Sequence, residues 1–217
     1  MTTEGKQKAL EKVAAEIAAT SGGPLKAPGV NPVPGEGNPD ATIMFIGEAP
    51  GFNENREGRP FVGQAGKLLR KNLTENGFKE SKVYITNIVK FRPPENRDPT
   101  PAEIEFFRKF LDEQIKIIEP KIIVTLGRFS MYKFLGEGVS ISRIHGQLRK
   151  INWQGREILI FPMYHPAAAL RAGEVMREFE NDFKKLWEIT DKMESGEQEK
   201  PVPAKPEGKK DEQLKLV

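Results

Sequence analysis

Four side chains that could act on one bound molecule stand at or near the ends of apolar runs. Glu48 directly follows the run ATIMFIG, and Asn87 lies within the run YITNIVK. Phe61 lies between glycines in GRPFVG, and His165 follows the run ILIFPMY and precedes Pro166. Together these residues supply a polar group that can hold water, an amide that donates and accepts, an aromatic plane and an imidazole donor.

Each of the four also has a structural interpretation that the residues alone leave open. Phe61 could anchor its loop in the core, and Asn87 could cap a loop beside the end of its strand. Glu48 could accept from the loop amides of residues 50–54. A lone histidine such as His165 is more often a structural group than part of a site. Glu48, Asn87 and His165 nevertheless lie at or near the ends of predicted strands, and Phe61 lies in the loop after the first of these strands. Sites of open α/β sheets occur at such positions.

Composition excludes several classes of protein. The 217 residues include no cysteine, which excludes disulfides, thiolate-bound metal clusters and a thiol nucleophile. The two histidines, His145 and His165, lie 20 residues apart without the spacing of a helical zinc motif, so no metal is expected. The net charge of +3 is compatible with polyanion binding but does not demonstrate it. No apolar stretch approaches the ~20 residues of a membrane span, so we expect a cytoplasmic protein without a membrane partner.

The apolar runs and helical patterns alternate along the chain, which predicts a layered α/β fold. Buried strands are predicted at 41–47, 83–89 and 121–126, and a strand pair at 147–152 and 157–161 around a turn at 153–155. Helices are predicted at 5–19, 65–76, 101–118, 128–134 and 174–191. Thr100 and Glu103 form a capping-box pattern at the start of the third.

Glycine and proline divide the rest of the chain. Residues 21–40 contain five prolines and five glycines, which predicts an extended loop. A second long loop at 47–63 follows a buried strand, a position that is usually functional. We expect a single domain over residues 1–192, and a disordered charged tail over 193–217, which has many charges and three prolines.

Three segments closely resemble the motifs of the uracil-DNA glycosylase superfamily, and of its family 4 in particular. They are GEAPGFNENREGRPFVGQAGKLL at 47–69, YITNIVKFRPPENRDPTPAE at 84–103 and YHPAAALR at 164–171, in the order that the family has. The resemblance covers about residues 30 to 190. It implies a three-layer α/β/α sandwich with a central, mainly parallel four-stranded sheet. It also implies a monofunctional enzyme that flips uracil out of DNA and hydrolyses its N-glycosidic bond, leaving an abasic site. Because the chain has no cysteine, we expect this enzyme to need no cofactor.

The chemistry of base removal gives each matching residue a role. Negative charge develops on the departing base while the sugar becomes cationic, and the nucleotide must first leave the stack. By resemblance, the pocket at Gly47 stacks uracil on Phe61 and recognises its edge through Asn87. His165 donates to the leaving base, and Glu48 positions water. Whether Glu48 is a general base stays open, and Glu54 is expected to be structural.

DNA is the implied partner, single- or double-stranded, and a monomer is expected. The segment of Pro166, Ala167, Ala168 and Ala169 would enter the minor groove, with Leu170 as a wedge in the gap left by the flipped base. Candidate phosphate contacts are Arg171, Lys67, Lys90, Arg92 and Arg143.

The chain departs from family 4 in one respect that bears on cofactors. Members of that family resemble one another in holding a [4Fe–4S] cluster with four cysteines, and the matching positions here are Thr20, Gly23, Phe91 and Phe107. The cluster cannot be built. We expect the two phenylalanines to pack together and replace it as a clamp between loop and helix.

Three alternatives remain at this stage. His145 could be a nucleophile, as in one unusual branch of the superfamily, although an exposed loop histidine is favoured. The substrate could be hypoxanthine or another deaminated base, because some cluster-free relatives differ in this way. The chain could also be a non-catalytic DNA-binding relative, but such a module needs no donor to a leaving group.

Overall fold

The structure is a computed structural model, and it describes residues 1–20, 23–25, 27–196 and 202–203. Four parallel strands form the centre of the sheet in the order β3-β2-β4-β6. Their bounds are Ile43–Gly47 for β2, Val83–Asn87 for β3, Ile122–Leu126 for β4 and Arg156–Met163 for β6. The predicted α/β fold with a mainly parallel sheet is confirmed.

The sheet is wider than the four strands predicted. At one edge, β1 (Glu36–Gly37) pairs antiparallel with β3, inside the segment predicted as an extended loop. At the other edge, β5 (Arg149–Trp153) pairs antiparallel with β6, and β7 (Val202–Pro203) pairs with β5. The β5–β6 turn has positive φ at both central residues, Gln154 and Gly155, as a tight hairpin requires. A two-residue strand such as β1 has no periodicity from which it could be predicted.

Helices cover both faces of this sheet. The helices in the described part of the chain are α1 (Thr3–Ala19), α2 (Phe52–Glu57), α3 (Gln64–Glu75), α4 (Pro101–Ile118), α5 (Arg128–Leu135), α6 (Ile141–Ile144), α7 (Pro166–Ala169) and α8 (Gly173–Ser195). Alternate residues of β2 face opposite layers, as strand geometry requires. Met44 and Ile46 pack with α1 and α4, whereas Ile43 and Phe45 pack with α3 and α8.

Two helix boundaries bear on the predictions. Helix α4 begins and ends where predicted. Its start is set by the capping box, in which Thr100 Oγ1 accepts from the Glu103 amide at 3.3 Å and the Glu103 carboxylate accepts from the Thr100 amide at 2.8 Å. Helix α8 continues to Ser195, past the predicted domain boundary at 192, and Met193 packs against the core on that side. Most of the predicted disordered tail lies outside the described residues. No helix within the described ranges is long and apolar enough to cross a membrane.

The positions that match the cluster cysteines are close together and hold no thiolate. The rings of Phe91 and Phe107 lie 5.8 Å apart, so the predicted contact is confirmed. Phe106 packs edge-on against Phe107 at 5.0 Å, and a Cβ on Gly23 would lie 3.1 Å from both Phe106 and Thr20. These residues do not fit an iron–sulfur cluster, because they offer no ligand and three aromatic rings pack at this place.

The Phe91–Phe107 contact predicts coupled losses of stability. Each ring is fully buried, so Phe91→Ala or Phe107→Ala should lower the free energy of unfolding by about 3–5 kcal/mol in urea titrations. The double variant should lose less than the sum of the two, because the rings touch.

A matched pair of distant rings provides the control. Phe161 is equally buried but packs in the layer on the other face of the sheet. Phe91→Ala combined with Phe161→Ala should therefore be additive. Simple additivity for Phe91 with Phe107 would contradict the clamp.

Candidate active site

A pocket of about 530 Å³ lies at the carboxyl ends of the central strands. Glu48 follows β2, Asn87 ends β3 and His165 follows β6, and all three line the pocket together with Phe61. Parallel strands bring these ends to one edge of the sheet, which is where α/β proteins bind ligands. The fold therefore brings together the four residues from which the sequence analysis started.

Gly47 allows the closest approach within the site. A Cβ at this position would lie 2.4 Å from Asn87 Oδ1 and 2.5 Å from Phe61 Cζ. No other residue type fits there without moving the amide or the ring. Asn87 Oδ1 is buried and has no hydrogen-bond partner among the described residues. Since buried polar atoms are nearly always paired, this oxygen is available to a ligand in the pocket.

Glu54 holds the loop that carries Phe61. Its carboxylate accepts from the amides of Val62 at 2.9 Å, Gly63 at 2.8 Å and Gly51 at 3.1 Å. Phe61 itself has a left-handed backbone, with φ of 53°, which is uncommon for a bulky residue. Three charge-assisted hydrogen bonds from one side chain stabilise this turn, which agrees with the structural role expected for Glu54.

His165 is a neutral donor. It caps α7, where its Nδ1 accepts from the amide of Ala167 at 3.2 Å. Nδ1 therefore carries no proton, and in the neutral ring the proton is on Nε2. Burial, and next the charge of Arg171, lower the pKa of His165 to about 4, so the ring is neutral near pH 7. Its ring centroid is 5.9 Å from that of Phe61.

Glu48 is half-buried on the wall of the same pocket. Burial, and next the negative charge of Asp98, raise the pKa of Glu48 to about 7, while Arg128 acts in the opposite direction. Asp98 and Arg128 form an ion pair, and both line the pocket. The carboxyl group of Glu48 therefore changes charge near neutral pH.

Sequence reasoning missed Asp98 and Arg128 as members of this site. Arg128 comes two residues after the end of β4, so the strand-end position that singled out Glu48 could have identified it. No comparable signal marks Asp98, which is brought to the pocket by its loop. The neighbouring Arg97 forms a two-bond ion pair with Glu103 at 2.8 and 2.6 Å, which ties that loop to α4.

The predicted phosphate contact at Lys90 is wrong. Lys90 is completely buried, and its Nζ donates to Thr86 Oγ1 at 2.7 Å, Gln114 Oε1 at 2.7 Å and the Asn87 carbonyl at 2.8 Å. Burial among these neutral partners holds its pKa well below the usual range of a lysine. Lys90 therefore supports the backbone of Asn87 from inside the protein. Sequence alone did not show that the residues after β3 turn inward.

The other predicted DNA contacts divide into two groups. Ala167, Ala168 and Arg171 line the pocket, and Leu170 is 47% exposed beside them, whereas Pro166 is buried in the first turn of α7. Lys67 and Arg143 are exposed and Arg92 is partly buried, and none of these three lines the pocket. Within the described residues, no carboxylate forms an ion pair with Lys67, Arg92, Arg143 or Arg171.

His145 is not the exposed loop residue that the sequence favoured. Its Nδ1 lies 2.7 Å from Asp182 Oδ2, and its ring packs on Tyr164 at 4.7 Å between centroids. The fully buried Asp182 requires a partner, which explains why the ring is drawn inward. His145 does not line the pocket.

Comparison with known proteins agrees with this geometry. A family model described as the uracil DNA glycosylase superfamily matches residues 34–190. A type-4 uracil-DNA glycosylase of Sulfurisphaera tokodaii is 49% identical over 185 residues, covering 83% of this chain and 84% of the relative. Type-4 uracil-DNA glycosylases of Archaeoglobus fulgidus and Saccharolobus solfataricus are 41% and 50% identical, over 85% and 73% of this chain and 95% and 76% of their own lengths. The chain therefore belongs to the uracil-DNA glycosylase superfamily.

Proposed function

We propose that the chain is a monofunctional uracil-DNA glycosylase, which flips uracil out of DNA into the pocket and hydrolyses its N-glycosidic bond. The observation that carries the proposal is the grouping of one aromatic plane, one unpaired amide oxygen and one neutral imidazole donor around the same pocket. The similarity to type-4 uracil-DNA glycosylases supports it.

Asn87 accounts for the choice of base. Its amide N–H donates to O4 of uracil, and its unpaired Oδ1 accepts from the N3 proton. Cytosine presents the opposite pattern at these two atoms, an acceptor at N3 and a donor at N4, so it cannot make the same pair. Phe61 provides the stacking surface, an interaction worth roughly 1–3 kcal/mol per base.

His165 and Glu48 act on the two charges that develop when the bond breaks. The bonding electron pair of the glycosidic bond goes to the base, and Nε2–H of His165 donates to O2 of the resulting anion. The Glu48 carboxylate holds the attacking water near the sugar and is attracted to the positive charge that develops there. The water oxygen forms the new bond to the sugar carbon and gives up a proton, and the uracil anion takes up a proton, so the products are free uracil and an abasic site.

Contacts outside the pocket hold the DNA. Leu170 enters the space that the flipped nucleotide leaves, because it is an exposed apolar side chain at the C-terminal end of the short helix that follows His165. Arg171 stands next to this wedge without a carboxylate partner in the described part of the chain, so it is free to contact phosphate. A single copy of the protein contains all of these groups.

Incubation of the purified protein with oligonucleotides that contain one uracil tests the proposal directly. In excess EDTA, subsequent alkali treatment should break the strand at uracil, because no step in this mechanism uses a metal. A matched oligonucleotide with hypoxanthine should stay intact. Breaks at hypoxanthine and none at uracil would show a glycosylase for deaminated purines, and binding without breaks would show a non-catalytic relative.

His165→Ala should lower the single-turnover rate by about 10²- to 10³-fold while changing DNA affinity little, since the lost hydrogen bond strengthens as charge develops on uracil. His165→Asp separates this role from the helix cap, because its carboxylate can still accept from the Ala167 amide but carries no N–H donor. Both variants should be slow.

A matched variant at the other histidine controls for general damage. His145→Gln lies outside the pocket and keeps a donor for Asp182, so its rate should equal that of the wild type. Recovery of the rate in His165→Asp would show that the cap, and not the donor, is what catalysis needs.

The charge of Glu48 predicts the pH dependence of the reaction. A carboxylate is charged above its pKa, so the single-turnover rate should fall as pH drops through about 7. Glu48→Gln should lower the rate and remove this acid limb. Asp98→Asn should move the limb to lower pH, because the charge of Asp98 raises the pKa of Glu48. An unchanged acid limb in Glu48→Gln would assign the titration to another group.

A further inference from the structure

Phe52 is a large aromatic side chain that the fold leaves in solvent. Its ring is 59% exposed at the first position of α2. Among other exposed apolar side chains of the described residues, Leu170 is the proposed wedge, and Trp187 packs edge-on against Phe78 at 5.4 Å between centroids. Single exposed apolar residues are common on protein surfaces, so exposure alone does not indicate a binding role for Phe52. Its position and its neighbours do.

Phe52 is fixed at the edge of the pocket. The preceding residue, Gly51, lines the pocket, and the Glu54 carboxylate binds its amide at 3.1 Å. One turn further along α2, Asn55 accepts from the Asn31 amide at 2.8 Å and donates to the Gly29 carbonyl at 3.1 Å. Helix α2 is therefore attached at both the pocket and the neighbouring loop, which presents the ring in a defined place.

Arg92 provides a second plane beside the ring. Its guanidinium carbon lies 5.3 Å from the centroid of Phe52, within the range of a cation–π contact. Its Nε donates to Asn96 Oδ1 at 2.7 Å, and Asn96 lines the pocket. Arg92 thus covers one side of the ring and is itself positioned by the pocket wall, while most of the ring surface stays open.

We propose that Phe52 and Arg92 form a second nucleotide subsite, which binds an unpaired base next to the uracil in the same DNA strand. The inference rests on the proposed function, because the pocket that Phe52 borders then holds the flipped nucleotide. Bases stack on exposed aromatic rings irrespective of sequence, and an adjacent arginine strengthens the stack and attracts phosphate. Phe52 stacks on the base, and Arg92 strengthens the stack and attracts the phosphate.

This subsite favours single-stranded DNA. In a duplex, the bases beside the uracil are paired and stacked on one another, so their faces are not accessible to a protein ring without further disruption. In a single strand, the same faces are open. The loss of Phe52 should therefore weaken the binding of single-stranded DNA more than that of duplex DNA.

Fluorescence anisotropy with undamaged DNA tests the subsite without requiring excision. Phe52→Ala should raise the Kd for a single-stranded oligonucleotide without uracil by about 5- to 150-fold, the range expected for one stacked base. Phe52→Trp should bind like the wild type because it keeps the plane. Trp187 is an exposed aromatic near the amino ends of β2 and β4, so Trp187→Ala should also bind like the wild type.

An oligomer of the same length built from abasic nucleotides separates stacking from backbone contact. It has the phosphates but no bases, so Phe52→Ala and the wild type should bind it equally. An equal loss on both oligomers, or no loss on either, overturns the inference. Because no uracil is present, these outcomes are independent of the excision assay. A wild type that excises uracil while Phe52→Ala binds normally would leave the proposed function standing and remove the subsite.

Discussion

The candidate site depends on the close approach of three residues at the end of β2. Gly47 has no side chain there, so Phe61 and Asn87 reach the space that a Cβ would occupy, at 2.5 and 2.4 Å. A second such approach brings α3 against the backbone of Phe61, since a Cβ on Gly66 would lie 1.9 Å from the Phe61 carbonyl oxygen. These two missing side chains allow the left-handed backbone of Phe61, and Glu54 then stabilises the turn with three hydrogen bonds.

The electrostatics of the pocket follow from the same enclosure. Burial lowers the pKa of His165 and raises that of Glu48, because it disfavours the charged form of each. The result is a neutral imidazole and a carboxyl group poised near pH 7 in one pocket. In the proposed reaction, a neutral Nε2–H donates without repelling a cationic sugar, whereas an ionised Glu48 attracts one. The Asp98–Arg128 pair adds opposing contributions to the pKa of Glu48.

Interior contacts hold the loops that a cluster would otherwise hold. Phe91 and Phe107 pack where two cysteine ligands are expected from the resemblance, and Phe106 reaches Gly23 on the facing segment. Lys90, just before Phe91, is bonded inside the protein to β3 and α4. An aromatic contact needs no metal to form, and hydrogen bonds and the Arg97–Glu103 ion pair add to the attachment of these loops.

The sequence by itself determined the order of the main strands and helices, the capping box at Thr100 and four of the residues that line the pocket, Glu48, Phe61, Asn87 and His165. These are consequences of local periodicity, of the residues that start and stop helices, and of motifs that are continuous in sequence. Only the tertiary structure decided that Lys90 points inward, that His145 pairs with Asp182, and that Asp98 acts on Glu48. Each of these depends on which distant residues surround a side chain, and burial and charge interactions of that kind have no signal in local sequence.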